Sequence, residues 1–178
     1  MNNEIMNKMI DNRIIFINSE INDTLAQRII MELLYLDSQN NEDINLYINS
    51  PGGDVMAGLA IIDVIQSIKS KVNTICIGKC YSMAAIILAI GNKGKRAILP
   101  NSEVMIHEVN LSHICGTTKE ILHIANLLNG KNKKILKILS SNTKLSIQEL
   151  SKITKSDYFM DAQEAKAKGF VDTIITNN

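Results

Sequence analysis

The stretch that decides the fold is Gly78-Lys79-Cys80-Tyr81-Ser82-Met83-Ala84-Ala85. An apolar, β-branched segment precedes it at residues 72–77, and a second apolar segment follows it at residues 86–90. The first segment predicts a short buried strand and the second a buried helix. Ser82 would then lie where a strand turns into a helix, facing the free N–H groups of the helix start. A nucleophile beside an oxyanion stabiliser needs that combination, but a plain N-cap serine fits the same pattern.

The composition narrows the possible partners. A chain of 178 residues with 46% hydrophobic and 21% charged residues is typical of a globular domain with a real core. The net charge of +1 and the 4% of aromatic residues argue against binding to nucleic acid or to an anionic membrane. No apolar run is long enough to span a bilayer, and the N-terminus shows no targeting pattern. We therefore expect one domain over residues 1–178, in the cytoplasm or in an organelle interior after processing.

The cysteines predict neither a disulfide framework nor a metal site. Cys76, Cys80 and Cys115 are an odd number of thiols without a secretory signal. Zinc would require more ligands at paired spacing. Cys76 and Cys80 are therefore interpreted as small core residues.

Strand and helix patterns alternate along the first part of the chain, which predicts a largely parallel sheet covered by helices. In such sheets, ligands gather at the carboxyl ends of the strands. Gly52-Gly53, Ser82 and His107 occupy such ends. The predicted strands are residues 12–17, 44–49, 72–77, 95–99 and 103–107, with helices at about 23–37, 55–70 and 86–90.

The last part of the chain is predicted to form three helices and a strand. A capping box from Thr117 to Glu120 begins a long helix that reaches about Leu139. Shorter helices are predicted after Ser146 and Asp161, and a final strand at residues 171–175.

The turn after the second strand is rich in proline and glycine. Pro51 fixes its own φ, while Gly52 and Gly53 permit φ values closed to other residues. Such a turn leaves N–H groups free for an anion. Its spacing fits neither a dinucleotide fingerprint nor a phosphate loop, and a plain tight turn is the alternative. Asp54 is expected to cap the following helix.

Five motifs together are far more specific than any one of them. In this order they resemble the proteolytic subunits of Clp proteases (ClpP), a family of serine peptidases, over about residues 12–174. The motifs lie at residues 47–53, 78–85, 94–102, 104–107 and 156–162.

The resemblance implies a fold and a site. The fold is the α/β ClpP/crotonase fold, in which repeated β-β-α units form a twisted sheet core with a projecting handle helix. The implied catalytic residues are the nucleophile Ser82, the general base His107 and its orienting carboxylate Asp157. The backbone N–H groups of Gly53 and Met83 would form the oxyanion hole. The chain order Ser-His-Asp is no objection, because a triad is defined by its geometry.

The resemblance also implies partners. Proteolytic subunits of this kind form heptameric rings that stack as a tetradecamer, and a handle strand and helix at about residues 108–142 would join the rings. Unfolded polypeptides are the expected substrates. An AAA+ Clp unfoldase is the expected partner, and it alone would use ATP, so no cofactor is expected in this chain.

The sequence departs from the family pattern at several positions. The segment that forms axial loops is expected to be largely absent before Ile5. Asn45 and Ser67 replace aromatic residues of the unfoldase docking cleft, which should therefore be more polar and bind more weakly. Residues 108–116 replace the Gln-Pro and glycine-rich strand usual after the histidine. Ser156 replaces an arginine, and Ala84 replaces a glycine.

Two alternatives accompany the peptidase hypothesis. A weakly active or regulatory subunit could assemble with a more typical paralogue, although inactive subunits often lose the triad that this chain keeps. An acyl-CoA enzyme of the crotonase type ranks last, because it needs no Ser-His-Asp set. No motif assigns a role to His113 or His123, and Asp54, Asp161 and Asp172 are interpreted as capping or surface residues.

Overall fold

A mostly parallel sheet forms the centre of the protein. The structure, a computed structural model, describes residues 3–111 and 115–176, and within them seven strands form one sheet. These strands are β1 (Ile14–Ile17), β2 (Ile44–Ser50), β3 (Val72–Tyr81), β4 (Ala97–Ile98), β5 (Glu103–Ile106), β6 (Tyr158–Met160) and β7 (Thr173–Ile174). The order is β1-β2-β3-β4-β7, with β5 paired to β3 and β6 paired to β5. Only the β5–β6 pair is antiparallel among these strands, so the predicted α/β class with a largely parallel sheet is confirmed.

Helices connect most of the strands. They are α1 (Asn3–Asp11), α2 (Asp23–Gln39), α3 (Val55–Ser67), α4 (Met83–Ala89), α5 (Thr118–Asn142), α6 (Ile147–Ile153) and α7 (Ala162–Ala167). In α2 the buried residues Leu25, Ile29, Leu33 and Leu36 recur at the predicted helical spacing. In α5 the buried residues are confined to its second half, at Ile135, Leu136 and Leu139. The first half of α5 is therefore largely exposed.

Strand β3 changes partner along its length. Its first half pairs with β4 through Ile75 and Cys76, and its last residues pair with β5 through Lys79 to Tyr81. Gly78 lies between the two halves with φ +81°, a conformation that favours glycine. The predicted strand at 72–77 therefore continues for four further residues, and its end lies beside the end of β5.

Several predicted strands are shorter in the structure. The first begins at Ile14 rather than at residue 12, because Arg13 has φ +58° and closes the turn after α1. The Arg13 side chain also donates to the Leu36 and Glu42 carbonyls. The strand predicted at 95–99 covers only Ala97–Ile98, and the last strand only Thr173–Ile174.

The segment after β5 differs most from expectation. The handle strand expected after residue 107 is absent from residues 107–111 and 115–117, where the chain is described but forms no ladder. Conversely, α1 and β6 were not predicted from the sequence. Strand β6 forms because Val104, Met105 and Ile106 pair with residues 158–160. It thereby brings the segment that contains Asp157 beside the end of β5.

Asp172 has a stronger structural role than a surface or capping residue. Its carboxylate accepts hydrogen bonds from the Arg96 guanidinium at 2.6 and 3.0 Å, and Arg96 is only 5% exposed. The hydrogen bonds from Arg96 lower the pKa of Asp172 below its ordinary value. Asp54 and Asp161, by contrast, are N-caps of α3 and α7, as expected.

Candidate active site

Ser82 and His107 lie in contact because two neighbouring strands end side by side. Tyr81 of β3 pairs with Met105 of β5 in parallel, and the Ser82 N–H donates to the Met105 carbonyl at 2.8 Å. The next side chains beyond these strand ends are Ser82 and His107. Their Oγ and Nε2 atoms are 2.8 Å apart, within hydrogen-bond distance of a nucleophile and its base.

The backbone of Ser82 is strained. Its φ of +53° and ψ of −120° lie outside the regions that side-chain-bearing residues ordinarily occupy. Its side chain makes no capping hydrogen bond to α4, so the plain N-cap interpretation is wrong. In this backbone conformation the Ser82 hydroxyl makes no bond to the N–H groups of the helix and lies instead against His107. The same conformation also leaves the N–H of Met83, at the helix start, without a carbonyl partner in the described part of the chain.

The strain predicts an unusual stability ranking. The free energy of unfolding of Ser82→Gly is expected to exceed that of Ser82→Ala by about 1 kcal/mol, because glycine adopts this backbone conformation without penalty. Urea titration of the two variants measures the difference. At Ser38, an exposed residue within α2, the ranking should reverse, because glycine is the poorer helix former there. Equal stability of the two Ser82 variants would contradict the strain.

The Gly52-Gly53 turn lies directly against the Ser82 turn. A Cβ on Gly52 would lie 2.5 Å from the Tyr81 carbonyl oxygen and 2.8 Å from the Ser82 Cβ. The Ser50 hydroxyl, which is buried, accepts from the Gly52 N–H at 3.1 Å and donates to the Ser19 carbonyl. Only glycine permits this close approach of the two backbones.

Gly53 has an N–H group free for a ligand. Gly53 forms a parallel bridge to Ile21, in which the flanking groups bond: Ile21 N–H to the Gly52 carbonyl and Asp54 N–H to the Ile21 carbonyl, each at 2.8 Å. In this geometry the N–H of Gly53 points away from Ile21. Gly53, Met83 and Ser82 line the same cavity. The structure therefore brings the two predicted oxyanion donors to the cavity that Ser82 also lines.

The cavity beside Ser82 and His107 is small and mostly apolar. Its volume is about 70 Å³, and Ile86 of α4 with Ile135, Leu136 and Leu139 of α5 supply much of its wall. Because α5 begins with a capping box and packs its second half here, the long helix forms one side of the site. Such a wall suits an apolar group of a bound ligand.

Asp157 lies one residue beyond the β5–β6 ladder and forms no hydrogen bond with His107 among the described contacts. The β5–β6 ladder ends at the pair Ile106 and Tyr158, and one further step would place Asp157 opposite His107. Instead, the Glu108 N–H donates to the Thr154 carbonyl at 2.9 Å, so residues 155–157 leave the ladder. Asp157 is exposed and makes no hydrogen bond to any residue that the structure describes. Its role as the orienting carboxylate stays a prediction.

Asn110 occupies the other side of the His107 ring. Its Nδ2 lies 3.2 Å from His107 Nδ1. The sequence did not single out Asn110, and its only local signal is an amide three residues after the histidine. An amide that close along the chain can reach the ring only if the backbone folds back, which the sequence pattern does not show.

The remaining side chains were mostly placed as expected. Cys76 and Cys80 are buried, and burial raises the pKa of the Cys80 thiol. His123 is exposed on α5, whereas His113 lies outside the described residues.

No group of three or more histidine, cysteine or acidic residues in the described chain could hold a metal ion. No described helix is long and apolar enough to cross a membrane.

The polar residues at the expected docking positions form hydrogen bonds within the chain. Asn45 of β2 accepts from the Asn73 side chain at 3.1 Å, and Asn73 also donates to Asp43. Nearby, Tyr47 stacks on Phe16 with ring centroids 5.5 Å apart. Ser67 is exposed and donates to the Val64 carbonyl.

Comparison with known proteins identifies the family. The family model for Clp protease matches residues 1–178. The chain belongs to the Clp protease family. An ATP-dependent Clp protease proteolytic subunit from Carsonella ruddii (strain PV) is 44% identical over 173 residues, which cover 97% of this chain and 88% of that relative. The resemblance drawn from the motifs is thus confirmed, and the mostly parallel α/β architecture is consistent with the ClpP/crotonase fold of this family.

Proposed function

We propose that this Clp protease family member is a serine endopeptidase that uses Ser82 as nucleophile and His107 as general base. The observation that carries the proposal is the 2.8 Å contact between Ser82 Oγ and His107 Nε2, made by a serine with a strained backbone. Strain at a residue that makes no structural hydrogen bond with its side chain is typical of functional positions. Membership of the Clp protease family supports peptide hydrolysis as the reaction class.

The proposed mechanism follows from the positions of the atoms. His107 Nε2 takes the proton of the Ser82 hydroxyl as Oγ attacks a peptide carbonyl. The N–H groups of Gly53 and Met83 stabilise the resulting oxyanion. His107 then gives the proton to the departing amine, and water hydrolyses the acyl-enzyme. Asp157 is the proposed carboxylate for Nδ1, which it would reach by extending the β5–β6 ladder by one pair.

The proposal includes an assembly. We propose that residues 1–178 form one peptidase domain that self-associates in heptameric rings stacked as a tetradecamer, with α5 between the rings. Exposed apolar side chains in the first half of α5, such as Leu122 at 61% and Leu127 at 54%, support a covered helix face. Substrates would be unfolded polypeptides, supplied by an AAA+ Clp unfoldase that hydrolyses ATP. The bound Asn45 amide supports weak docking of that unfoldase.

A second candidate is a weakly active or regulatory subunit that assembles with a more typical paralogue. The exposure of Asp157 and the lack of a hydrogen bond between it and His107 in the described chain favour this candidate. This candidate predicts rings whose peptidase activity depends on the other subunit.

The test is labelling with a fluorophosphonate, which reacts with an activated serine. The purified protein is sized by native mass spectrometry, labelled, digested and mapped. We expect one adduct on the peptide that contains Ser82 and none in Ser82→Ala. An unfolded protein should be hydrolysed by the wild type before labelling, and neither by the labelled wild type nor by Ser82→Ala. An assembled particle without the adduct would overturn the peptidase proposal. Activity that appears only after a paralogue is added would support the second candidate.

A further inference from the structure

The His107 ring is held at both nitrogens, between a serine and an asparagine. Nε2 lies 2.8 Å from Ser82 Oγ, and Nδ1 lies 3.2 Å from Asn110 Nδ2. The catalytic arrangement implied by the family resemblance assigns Nδ1 to Asp157 instead. The structure thus shows a different partner at the position that sets the tautomer of the ring.

The backbone fixes Asn110 near the ring. The Glu108 N–H is tied to the Thr154 carbonyl at 2.9 Å, and Thr154 is itself buried at the end of α6. Val109 packs against the core and lines the cavity beside Ser82. Because Glu108 and Val109 are held in this way, the chain folds back on itself. The Asn110 side chain then reaches the ring of His107, three residues earlier in the sequence.

The same anchor keeps Asp157 away. A regular antiparallel ladder would pair residue 108 with residue 156, but Glu108 bonds to Thr154. The two additional residues are accommodated by an exposed turn over residues 155–157. One hydrogen bond therefore both positions Asn110 and displaces the carboxylate.

We propose that Asn110 is a positioning residue for His107, a second partner for Nδ1 that supports the reaction when Asp157 is not in contact. The inference rests on the proposed function and adds to it a residue outside the Ser-His-Asp set. An amide can do this because rotation about its Cβ–Cγ bond exchanges an acceptor, Oδ1, for a donor, Nδ2.

The two amide orientations have opposite effects. When Oδ1 faces the ring, Nδ1–H donates to it, and the Nε2 lone pair is free to take the Ser82 proton. The imidazolium that forms then keeps Nδ1–H on Oδ1 until the proton on Nε2 passes to the departing amine. When Nδ2 faces the ring, as it does in the structure, Nδ1 accepts, Nε2 carries the hydrogen, and the ring cannot act as a base until the amide rotates. A carboxylate at Nδ1 supports only the first state, so an amide gives a slower enzyme than a carboxylate.

The test compares Asp157→Ala with Asn110→Ala/Asp157→Ala and Asn110→Asp/Asp157→Ala. The measured quantity is the second-order rate constant of fluorophosphonate labelling at Ser82. Relative to Asp157→Ala, we expect the double alanine variant to react about tenfold more slowly, the effect of losing one hydrogen bond to the ring. The aspartate variant should react faster than Asp157→Ala, because its carboxylate excludes the unproductive tautomer. A purely structural role for Asn110 would not produce this gain.

The controls separate the outcomes. Asn41→Ala, which removes an exposed amide far along the chain from the site, should leave the rate unchanged in the Asp157→Ala background. Each variant is first matched for native mass and thermal unfolding. The inference is overturned if removing Asn110 changes the rate by less than about twofold, if aspartate does not increase it, or if Asp157→Ala alone abolishes labelling. In each of these cases wild-type labelling would leave the proposed function intact, whereas an unlabelled wild type would overturn the proposed function itself.

Discussion

Replacing His107 with alanine is expected to lower peptide hydrolysis by about 10⁴- to 10⁶-fold, with the fold and the particle mass unchanged. The imidazole is the only base within hydrogen-bond distance of the Ser82 hydroxyl among the described residues. Without it, the hydroxyl must attack as a neutral alcohol, and the departing amine has no proton donor. The oxyanion donors and substrate binding would still act, so a residual rate above that of water should remain. Hydrolysis of a short fluorogenic peptide measures the effect without any unfoldase.

His123→Ala provides the matched control. The His123 side chain is exposed on α5 and forms no hydrogen bond in the described chain, so its removal should leave the peptidase rate unchanged at the same particle mass. Both variants should retain the wild-type unfolding temperature. A His107→Ala enzyme with more than about one tenth of wild-type activity would show that another group serves as the base.

Replacing Gly53 with alanine is expected to lower the turnover number by about 100- to 1,000-fold, the usual effect of losing one oxyanion donor. The added Cβ would lie 2.2 Å from the Ile21 carbonyl oxygen and 2.8 Å from the Ile21 nitrogen. Both atoms belong to the backbone and cannot move aside as a side-chain end would. The φ of +145° is also a conformation that residues with a side chain rarely adopt. The turn must therefore shift, and the Gly53 N–H must leave the cavity.

Gly94→Ala separates the loss of the donor from general strain. Gly94 also has a positive φ, of +86°, but a Cβ there would meet no atom within 4 Å. This variant should lose about 1–2 kcal/mol of stability and keep its turnover number. If Gly53→Ala turned over peptide at the wild-type rate while remaining folded, Gly53 would have no part in the oxyanion hole. The expected loss should appear mainly in kcat, because the donor acts on the transition state.

Much of the fold could be predicted because it follows from local patterns. The apolar β-branched segment at Val72 and the helical spacing of Leu25, Ile29 and Leu33 predicted elements that the structure contains. Errors occurred where pairing rather than composition defines a strand. Strand β6 exists because residues 158–160 find an open edge on β5, and the strand at 97–98 is short because only two of its residues pair with β3.

The residues of the candidate site also divide into those placed by local sequence and those placed by contacts between distant segments. The turn and helix-start positions of Ser82, Gly53 and Met83 could be predicted, because each depends on its neighbours along the chain. Their catalytic roles were implied by the family resemblance and stay predictions. The location of Ser82 and His107 at strand ends was predicted from the rule that ligands gather at the carboxyl edge of a parallel sheet, whereas their pairing was implied by the family resemblance. Asn110 could not be predicted, because its place at Nδ1 depends on the bond between Glu108 and Thr154, which are 46 residues apart in the numbering.

The sequence by itself determined the family, the parallel sheet and the residues that lie at its carboxyl edge. Motif order and residue type carry that information, since a strand that turns into a helix at Ser82 needs only its own neighbours. The tertiary structure alone decided how those residues are held. It showed a strained serine with no capping bond, and an asparagine rather than an aspartate beside the histidine. The physical reason is that β3 changes partner at Gly78 and the β5–β6 ladder breaks after Ile106, and both depend on pairing between distant segments.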